Sequence, residues 1–266
     1  MNNLPVTAFF QIWLEALALI MTMMTLLWIV SVFIKNVSIV DIFWGTGFVL
    51  VSWFYFLFSD GNETRKIILA VLVTIWGLRL SIHIAWRNHG LGEDFRYRQF
   101  RQDYGEKRYW WVSFLQTFVL QGVLMWLISA PLLGAQYSGS DRSLNILDWT
   151  GISLWSIGFI FEAGGDAQLA LFRANPANRG KVLDRGFWRY TRHPNYFGDS
   201  ALWLGYGFFS LAAGSWLPAL GSVLMTFMII RVSGVAMLEK SLKVQKPQYK
   251  EYIDKTSAFF PWFPKK

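Results

Sequence analysis

Long apolar runs recur along nearly the whole of this 266-residue chain. A run of about 18 residues or more can cross the roughly 30 Å hydrocarbon core of a bilayer as a helix. The composition agrees, because 54% of the residues are hydrophobic and only 16% are charged, against about 25% in soluble proteins. The sequence therefore predicts an all-α, polytopic membrane helix bundle.

The runs predict about seven transmembrane helices, at residues 9–34, 37–58, 67–87, 112–134, 149–172, 196–214 and 216–238. The sixth run contains Gly205, Gly207 and Gly214, so a broken or re-entrant helix that lines a cavity is an alternative there. No linker or internal repeat divides the chain. We therefore expect one membrane domain over 1–266, with substrate-side helices in 1–135 and a cofactor-binding half in 149–266.

Lysine and arginine are distributed unevenly between the predicted loops. Most of them lie in 35–36, 88–111, 173–195 and 239–266, and few lie in 59–66 and 135–148. The positive-inside rule then predicts an N-terminus outside and a C-terminus in the cytoplasm. Because this pattern accounts for the net charge of +8, we expect membrane lipids as partners and no nucleic acid.

Several polar side chains fall within or beside the predicted spans, where a charge costs a few kcal/mol and usually has a partner or a function. Three groups have members that share one helix face, namely Glu162 with Asp166 and Arg173, Arg79 with His83, and Asn195 with Asp199. These groups, together with Asp41, could simply pair with one another, for example Asp41 with Arg79. A shared polar cavity beside the basic loops explains the whole set more economically.

The segment 185–199 reads R-G-F-W-R-Y-T-R-H-P-N-Y-F-G-D and interrupts two apolar runs. Arginine forks suit phosphates, and interleaved aromatic rings suit a base. Attraction to anionic lipid headgroups is the competing explanation, but it does not require the ordered mixture of His193, Pro194, Asn195 and Tyr196. We expect a nucleotide or dinucleotide site that is built from helices and loops, since no glycine-rich phosphate loop follows a strand.

The residues 162–207 resemble the steroid 5-alpha-reductase-like membrane reductases, especially their bacterial branch. The strongest motifs are E-A-G-G-D-A-Q-L-A-L-F-R and K-V-L-D-R-G-F-W-R-Y-T-R-H-P-N-Y-F-G-D, and weaker ones are V-D-I-F-W-G, E-D-F-R-Y and Y-K-E-Y-I-D-K-T-S-A-F-F-P. The resemblance implies an NADPH-dependent oxidoreductase in a bacterial inner membrane. Its reaction would be hydride transfer to the β-carbon of an enone in a hydrophobic, lipid-like or steroid-like molecule from the bilayer.

In that family the C-terminal half encloses NADPH. Carried over by motif, the implied cofactor contacts are Asp166, Arg173, Lys181, Arg192, His193, Asn195, Tyr196, Asp199 and Tyr249, and residues 93–97 would close over the cofactor. The glutamine–glutamate pair of the steroid-specific members is absent, and Asp41, Arg79, His83 and Tyr97 are the local catalytic replacements. We expect no metal site and no protein partner.

Two other function classes remain open. Isoprenylcysteine and phospholipid methyltransferases, which use S-adenosylmethionine, share R-H-P-x-Y-x-G, and Glu239 with the Y-K-E-Y run would serve that chemistry. A non-catalytic lipid-binding membrane protein needs only the helix bundle and the basic loops. It would leave the dense polar set without a role.

Overall fold

The computed structural model of the protein describes residues 6–137, 143–233, 235 and 249–265. These residues form helices, turns and loops and no strand, which confirms the predicted all-α class. The helices are α1 (Val6–Ile34), α2 (Ile39–Phe58), α3 (Glu63–Asn88), α4 (Phe95–Tyr104), α5 (Glu106–Gln136), α6 (Ile146–Ala174), α7 (Pro194–Ala212), α8 (Trp216–Phe227) and α9 (Tyr249–Lys255). A π-helical turn interrupts α5 at Phe114–Val119, and another follows α8 at Met228–Ser233. Glu239 lies outside the described residues.

Four helices are long and apolar enough to cross a membrane, namely α1, α2, α3 and α5. They coincide with the first four predicted spans, and the apolar helix Trp216–Val232 is shorter. The fifth and sixth predicted spans are α6 and α7, which are helical but are not among the four. The count of seven spans and the orientation of the termini stay predictions. Helix α7 runs unbroken to Ala212, and the chain then turns at Gly214, whose φ is +87°.

The chain forms two compact units. The first unit comprises residues 1–144 and 213–218, and the second comprises 145–212 and 219–266. In the first unit, α2 and α3 approach closely at two glycines, because a Cβ on Gly45 would lie 2.1 Å from the carbonyl oxygen of Gly77. One turn further on, the N–H of Thr46 donates to the hydroxyl of Ser81 over 2.9 Å.

Glycines also set the spacing of α6 and α7 in the second unit. A Cβ on Gly151 would lie 2.9 Å from the carbonyl oxygen of Gly205, and one on Gly158 would lie 2.5 Å from that of Gly198. At the end that carries the basic loop, Gly165 packs against Pro194. The contacts run in opposite directions along the two helices, so α6 and α7 are antiparallel. Without side chains between them, their backbones meet directly.

Candidate functional site

A cavity of about 460 Å³ lies in the second unit, beside the last turns of α6. Four basic side chains line it, those of Arg173, Arg179, Lys181 and Arg192. Its aromatic lining consists of Phe172, Trp188, Tyr249 and Tyr252. No aspartate or glutamate lines it among the residues that the structure describes. The cavity thus combines a positive charge with flat aromatic surfaces.

The chain reverses direction at the end of α6, and this reversal forms one side of the cavity. The side chain of Asn175 accepts from the N–H of Ala177 and starts a short 3₁₀ turn at Pro176–Asn178. The side-chain amide of Asn178 donates to the carbonyl of Phe172 over 2.9 Å and so satisfies a backbone acceptor at the helix end. Gly180 then adopts a φ of +82°, which favours glycine.

Arg192 holds the C-terminal segment in place. Its Nη1 donates to the carbonyl of Ile253 over 3.0 Å and to that of Thr256 over 2.6 Å. Its backbone N–H donates to the carbonyl of Ser257 over 2.9 Å. The side chain is only 7% exposed. The guanidinium of Arg192 therefore helps to order the wall of the cavity by binding backbone carbonyls.

Trp188 and Tyr252 link three parts of the same wall. The indole N–H of Trp188 donates to the carbonyl of Gly165 in α6 over 3.1 Å. The hydroxyl of Tyr252 in α9 donates to the carbonyl of Trp188. Burial raises the pKa of Tyr252, so its hydroxyl stays protonated and can keep this donation. The aromatic wall is therefore fixed by hydrogen bonds at both ends.

The nine predicted cofactor residues fall into two groups. Arg173, Lys181, Arg192 and Tyr249 line the cavity, whereas Asp166, His193, Asn195, Tyr196 and Asp199 are outside its lining. In the second group, the side-chain amide of Asn195 donates to Asp166 over 3.1 Å and joins α7 to α6.

In the same second group, His193 is 1% exposed and stacks on Tyr196 with ring centroids 5.7 Å apart. Asp166 directly follows Gly165, whose carbonyl accepts from Trp188 of the cavity wall. The second group therefore adjoins the cavity by way of Trp188.

A second polar cluster lies in the first unit, where α4 meets α2 and α5. Asp41 accepts from the Tyr97 hydroxyl and from Arg96 Nη2, each over 2.7 Å. Gln121 donates to the Tyr97 oxygen over 3.1 Å and accepts from the indole N–H of Trp44 over 2.6 Å. Asp41 therefore forms an ion pair with Arg96, whereas the sequence analysis gave Arg79 as its example partner.

The sequence E-D-F-R-Y explains how this cluster is held. Asp94 caps the start of α4 by accepting from the N–H of Arg96 over 3.0 Å. Burial alone would raise the pKa of Asp94, but the hydrogen bonds and the charge of Arg96 outweigh it, and the pKa lies below its ordinary value. Burial, followed by the charge of Asp41, raises the pKa of Tyr97. Tyr97 is therefore a protonated hydroxyl at neutral pH.

Hydrogen bonds join residues 93–101 to the segment that begins α2. Glu93 accepts from the N–H of Val37 over 2.9 Å, and Arg101 binds both oxygens of Glu93 at 3.0 and 2.8 Å. The hydroxyl of Ser38 accepts from the N–H of Asp94. These bonds order the segment within its own unit, and its closing over a cofactor stays a prediction.

The other two predicted catalytic residues, Arg79 and His83, are partly exposed on α3. Ser81 lies on the face of α3 that packs against α2. Arg79 and His83 are each two residues from Ser81, so both side chains lie on a different face of α3. Sequence reasoning missed Gln121 as a site residue. It included Arg96, Arg179, Trp188 and Tyr252 only as members of longer motifs or segments and did not name them among the individual site residues. Gln121 carried a signal, because it is a polar residue within the fourth apolar run and follows the π-helical turn.

Across the residues that the structure describes, no group of three or more His, Asp or Glu side chains could hold a metal ion. The chain has no cysteine.

The amino-acid sequence of the chain matches one protein-family model over most of its length. Residues 27–256 match DUF1295, which is described as a protein of unknown function. An uncharacterized protein of Schizosaccharomyces pombe, C594.04c, is 28% identical over 260 residues, which cover 88% of this chain and 75% of that protein. The probable O-methyltransferase ustE of Ustilaginoidea virens is 28% identical over 105 residues, or 40% of this chain and 36% of that protein. No solved structure matches the chain.

Proposed function

We propose, from the premise that this chain belongs to the DUF1295 family, that it is a membrane reductase that uses NADPH to reduce a carbon–carbon double bond. The family is a member of the steroid 5-alpha-reductase-like superfamily. The substrate would be a hydrophobic, lipid-like or steroid-like molecule with an enone-like group. One observation carries the proposal, namely the charge of the cavity in the second unit.

The lining of that cavity suits NADPH. The cofactor carries a pyrophosphate, a 2′-phosphate and two aromatic bases, and arginine forks bind phosphate oxygens through two parallel hydrogen bonds. Arg173, Arg179 and Lys181 would hold the phosphates, and Trp188, Tyr249 and Tyr252 offer faces for a base. When bound, NADPH supplies the hydride for the reaction.

A methyltransferase is the second candidate, and the similarity to a probable O-methyltransferase over 105 residues favours it. Its methyl donor, S-adenosylmethionine, is a sulfonium with an ammonium and one carboxylate, so its net charge is positive. A cavity lined by four basic side chains, with no carboxylate among the described lining residues, repels such a cation. The positive charge of the cavity therefore favours NADPH over S-adenosylmethionine as its ligand.

We assign the substrate side to the polar cluster of the first unit. The single O–H of Tyr97 donates to Asp41, and its oxygen accepts from Gln121. This O–H would turn from Asp41 to the developing enolate oxygen and stabilise it by a hydrogen bond. Asp41 and Gln121 would position that hydroxyl. Arg79 and His83 remain predicted substrate contacts, but the proposal does not depend on them, because they lie on other sides of α3 than the face that packs against α2.

We expect the purified protein in detergent to bind NADPH at least about tenfold more tightly than S-adenosylmethionine, a difference of about 1.4 kcal/mol. The NADPH affinity should fall as salt rises, because screening weakens contacts between arginine and phosphate at the open side of the cavity. The enhancement and blue shift of nicotinamide fluorescence measure the first affinity, and calorimetry measures the second. Tight binding of S-adenosylmethionine without binding of NADPH would replace the reductase by the methyltransferase.

Replacing Tyr97 with phenylalanine should lower kcat about 100-fold, because general acids contribute on that order. The NADPH dissociation constant should stay unchanged. The measurement is NADPH consumption with the most rapidly reduced member of a panel of enone lipids. Tyr55→Phe is the matched control, since Tyr55 is a buried tyrosine of the same unit whose hydroxyl bonds to Ser129 at 2.8 Å. Equal rates for Tyr97→Phe and the wild type would remove Tyr97 from the mechanism.

A further inference from the structure

A line of polar and small residues runs along the outward face of α1. It consists of Thr7, Gln11, Glu15, Ala18 and Thr22, and all five side chains are exposed. Their spacing of four, four, three and four residues keeps them within a sector of roughly 80° on a helix. We call these five residues the α1 polar line.

Apolar residues flank the line on both sides. Phe10, Leu14 and Leu26 are 45%, 55% and 59% exposed, and α1 contains the most hydrophobic of the four candidate spans, with a mean hydropathy of 2.5. The opposite face of α1 packs into the first unit through Ala16, Ile20 and Met24, which are at most 1% exposed. The polar line thus occupies the middle of the face that lipid would otherwise cover.

Glu15 makes this placement costly. It lies nine residues after the first residue of α1, which is roughly 14 Å along the helix axis and inside the candidate membrane span Thr7–Ile34. Ionisable side chains in membrane spans almost always face the protein interior, a water-filled cavity or a partner. A carboxyl group on an outward face therefore indicates a protein partner at that face.

The partner's chemistry follows from Gln11 and Glu15. The side-chain amide of Gln11 donates to Glu15 over 2.9 Å, and the amide has a second N–H and a carbonyl oxygen. The two residues together present donors and acceptors one helical turn apart. Such a pair is complementary to a copy of itself at the same depth.

We propose that the α1 polar line is the contact between two copies of this chain, which pack α1 against α1. Two copies inserted in the same orientation are related by a two-fold axis along the membrane normal, so a contact between two different residues of the line occurs twice, once in each direction. Gln11 of one copy then donates to Glu15 of the other. Ala18 permits close approach of the backbones, as small residues do in other membrane helix pairs. This inference is independent of the proposed reductase activity.

The absence of cysteine allows a direct test by disulfide cross-linking in native membranes. Thr22→Cys places a thiol on the polar line and should give a dimer as the main product after mild oxidation. Phe10→Cys is the control, because Phe10 is also exposed but lies about 120° away around the helix, and its dimer yield should be at least fivefold lower. Equal yields at both positions, no dimer at Thr22→Cys, or a product that contains a different protein would each overturn the proposal.

A second variant tests the polar pair itself. Adding Glu15→Leu to the Thr22→Cys protein should lower the dimer yield at least fivefold, whereas adding Glu15→Gln should preserve it, because glutamine still donates and accepts. Leucine is favourable on a helix surface in lipid, so Glu15→Leu should leave the fold intact. An unchanged dimer yield in the leucine variant would show that the polar line does not hold two copies together.

Discussion

Replacing Gly158 with alanine should destabilise the second unit by about 3 kcal/mol, the upper part of the range for overpacked interiors. The new Cβ would lie 2.5 Å from the carbonyl oxygen of Gly198 and 2.5 Å from the amide nitrogen of Leu202. Both atoms belong to the backbone of α7, so no side chain can rotate away. The two helices would have to separate along their whole contact, which would also disturb the bond between Asn195 and Asp166.

The measurement is the thermal unfolding temperature in detergent, followed by tryptophan fluorescence. Gly207→Ala is the matched control in the partner helix, because a Cβ there meets the side chain of Ser222, with its hydroxyl oxygen at 3.0 Å and its Cβ at 3.2 Å. The hydroxyl of Ser222 can rotate away, and its Cβ needs to move by only a few tenths of an ångström, so a much smaller loss is expected. If both variants unfolded at the same temperature, direct backbone packing would not be the cause.

Replacing Arg173 with glutamine should raise the NADPH dissociation constant at least about tenfold, since a hydrogen bond to a charged group contributes roughly 1.5–3 kcal/mol. Arg173 lines the cavity from the last turn of α6, and glutamine keeps most of its length while removing its charge and its fork. Arg173→Lys should recover only part of the affinity, because an ammonium cannot form two parallel bonds. Titration followed by nicotinamide fluorescence measures the NADPH dissociation constant of the wild type and of both variants.

Arg185→Gln is the control for this experiment. Arg185 is exposed and basic and belongs to the same segment, but it does not line the cavity. Its loss should leave the NADPH affinity within about twofold of the wild type, because screening weakens interactions between separated, exposed charges. Equal losses in Arg173→Gln and Arg185→Gln would mean that the protein attracts the cofactor only through its overall charge.

Local patterns in the sequence were enough to predict the helical class and the first four candidate spans, because apolar runs and helix formation depend on near neighbours in the chain. The ends of the helices were less predictable. Helix α3 begins at Glu63 and α5 at Glu106, each several residues before its predicted apolar run. Polar residues extend these helices without adding to their hydropathy, and Asn62 caps α3 by accepting from the N–H of Arg65 over 3.1 Å.

The sequence by itself determined that this is a helical protein with membrane-spanning segments and a basic, aromatic C-terminal motif, since composition and periodicity carry that information. Only the tertiary structure decided that Arg173 and Lys181 share a cavity with Trp188 and Tyr252, while Asn195 bonds to Asp166 between two helices. It also gave Asp41 the partner Arg96. The physical reason is that such contacts depend on how closely glycines let helices approach and on where the chain reverses, and neither property is encoded by neighbouring residues alone.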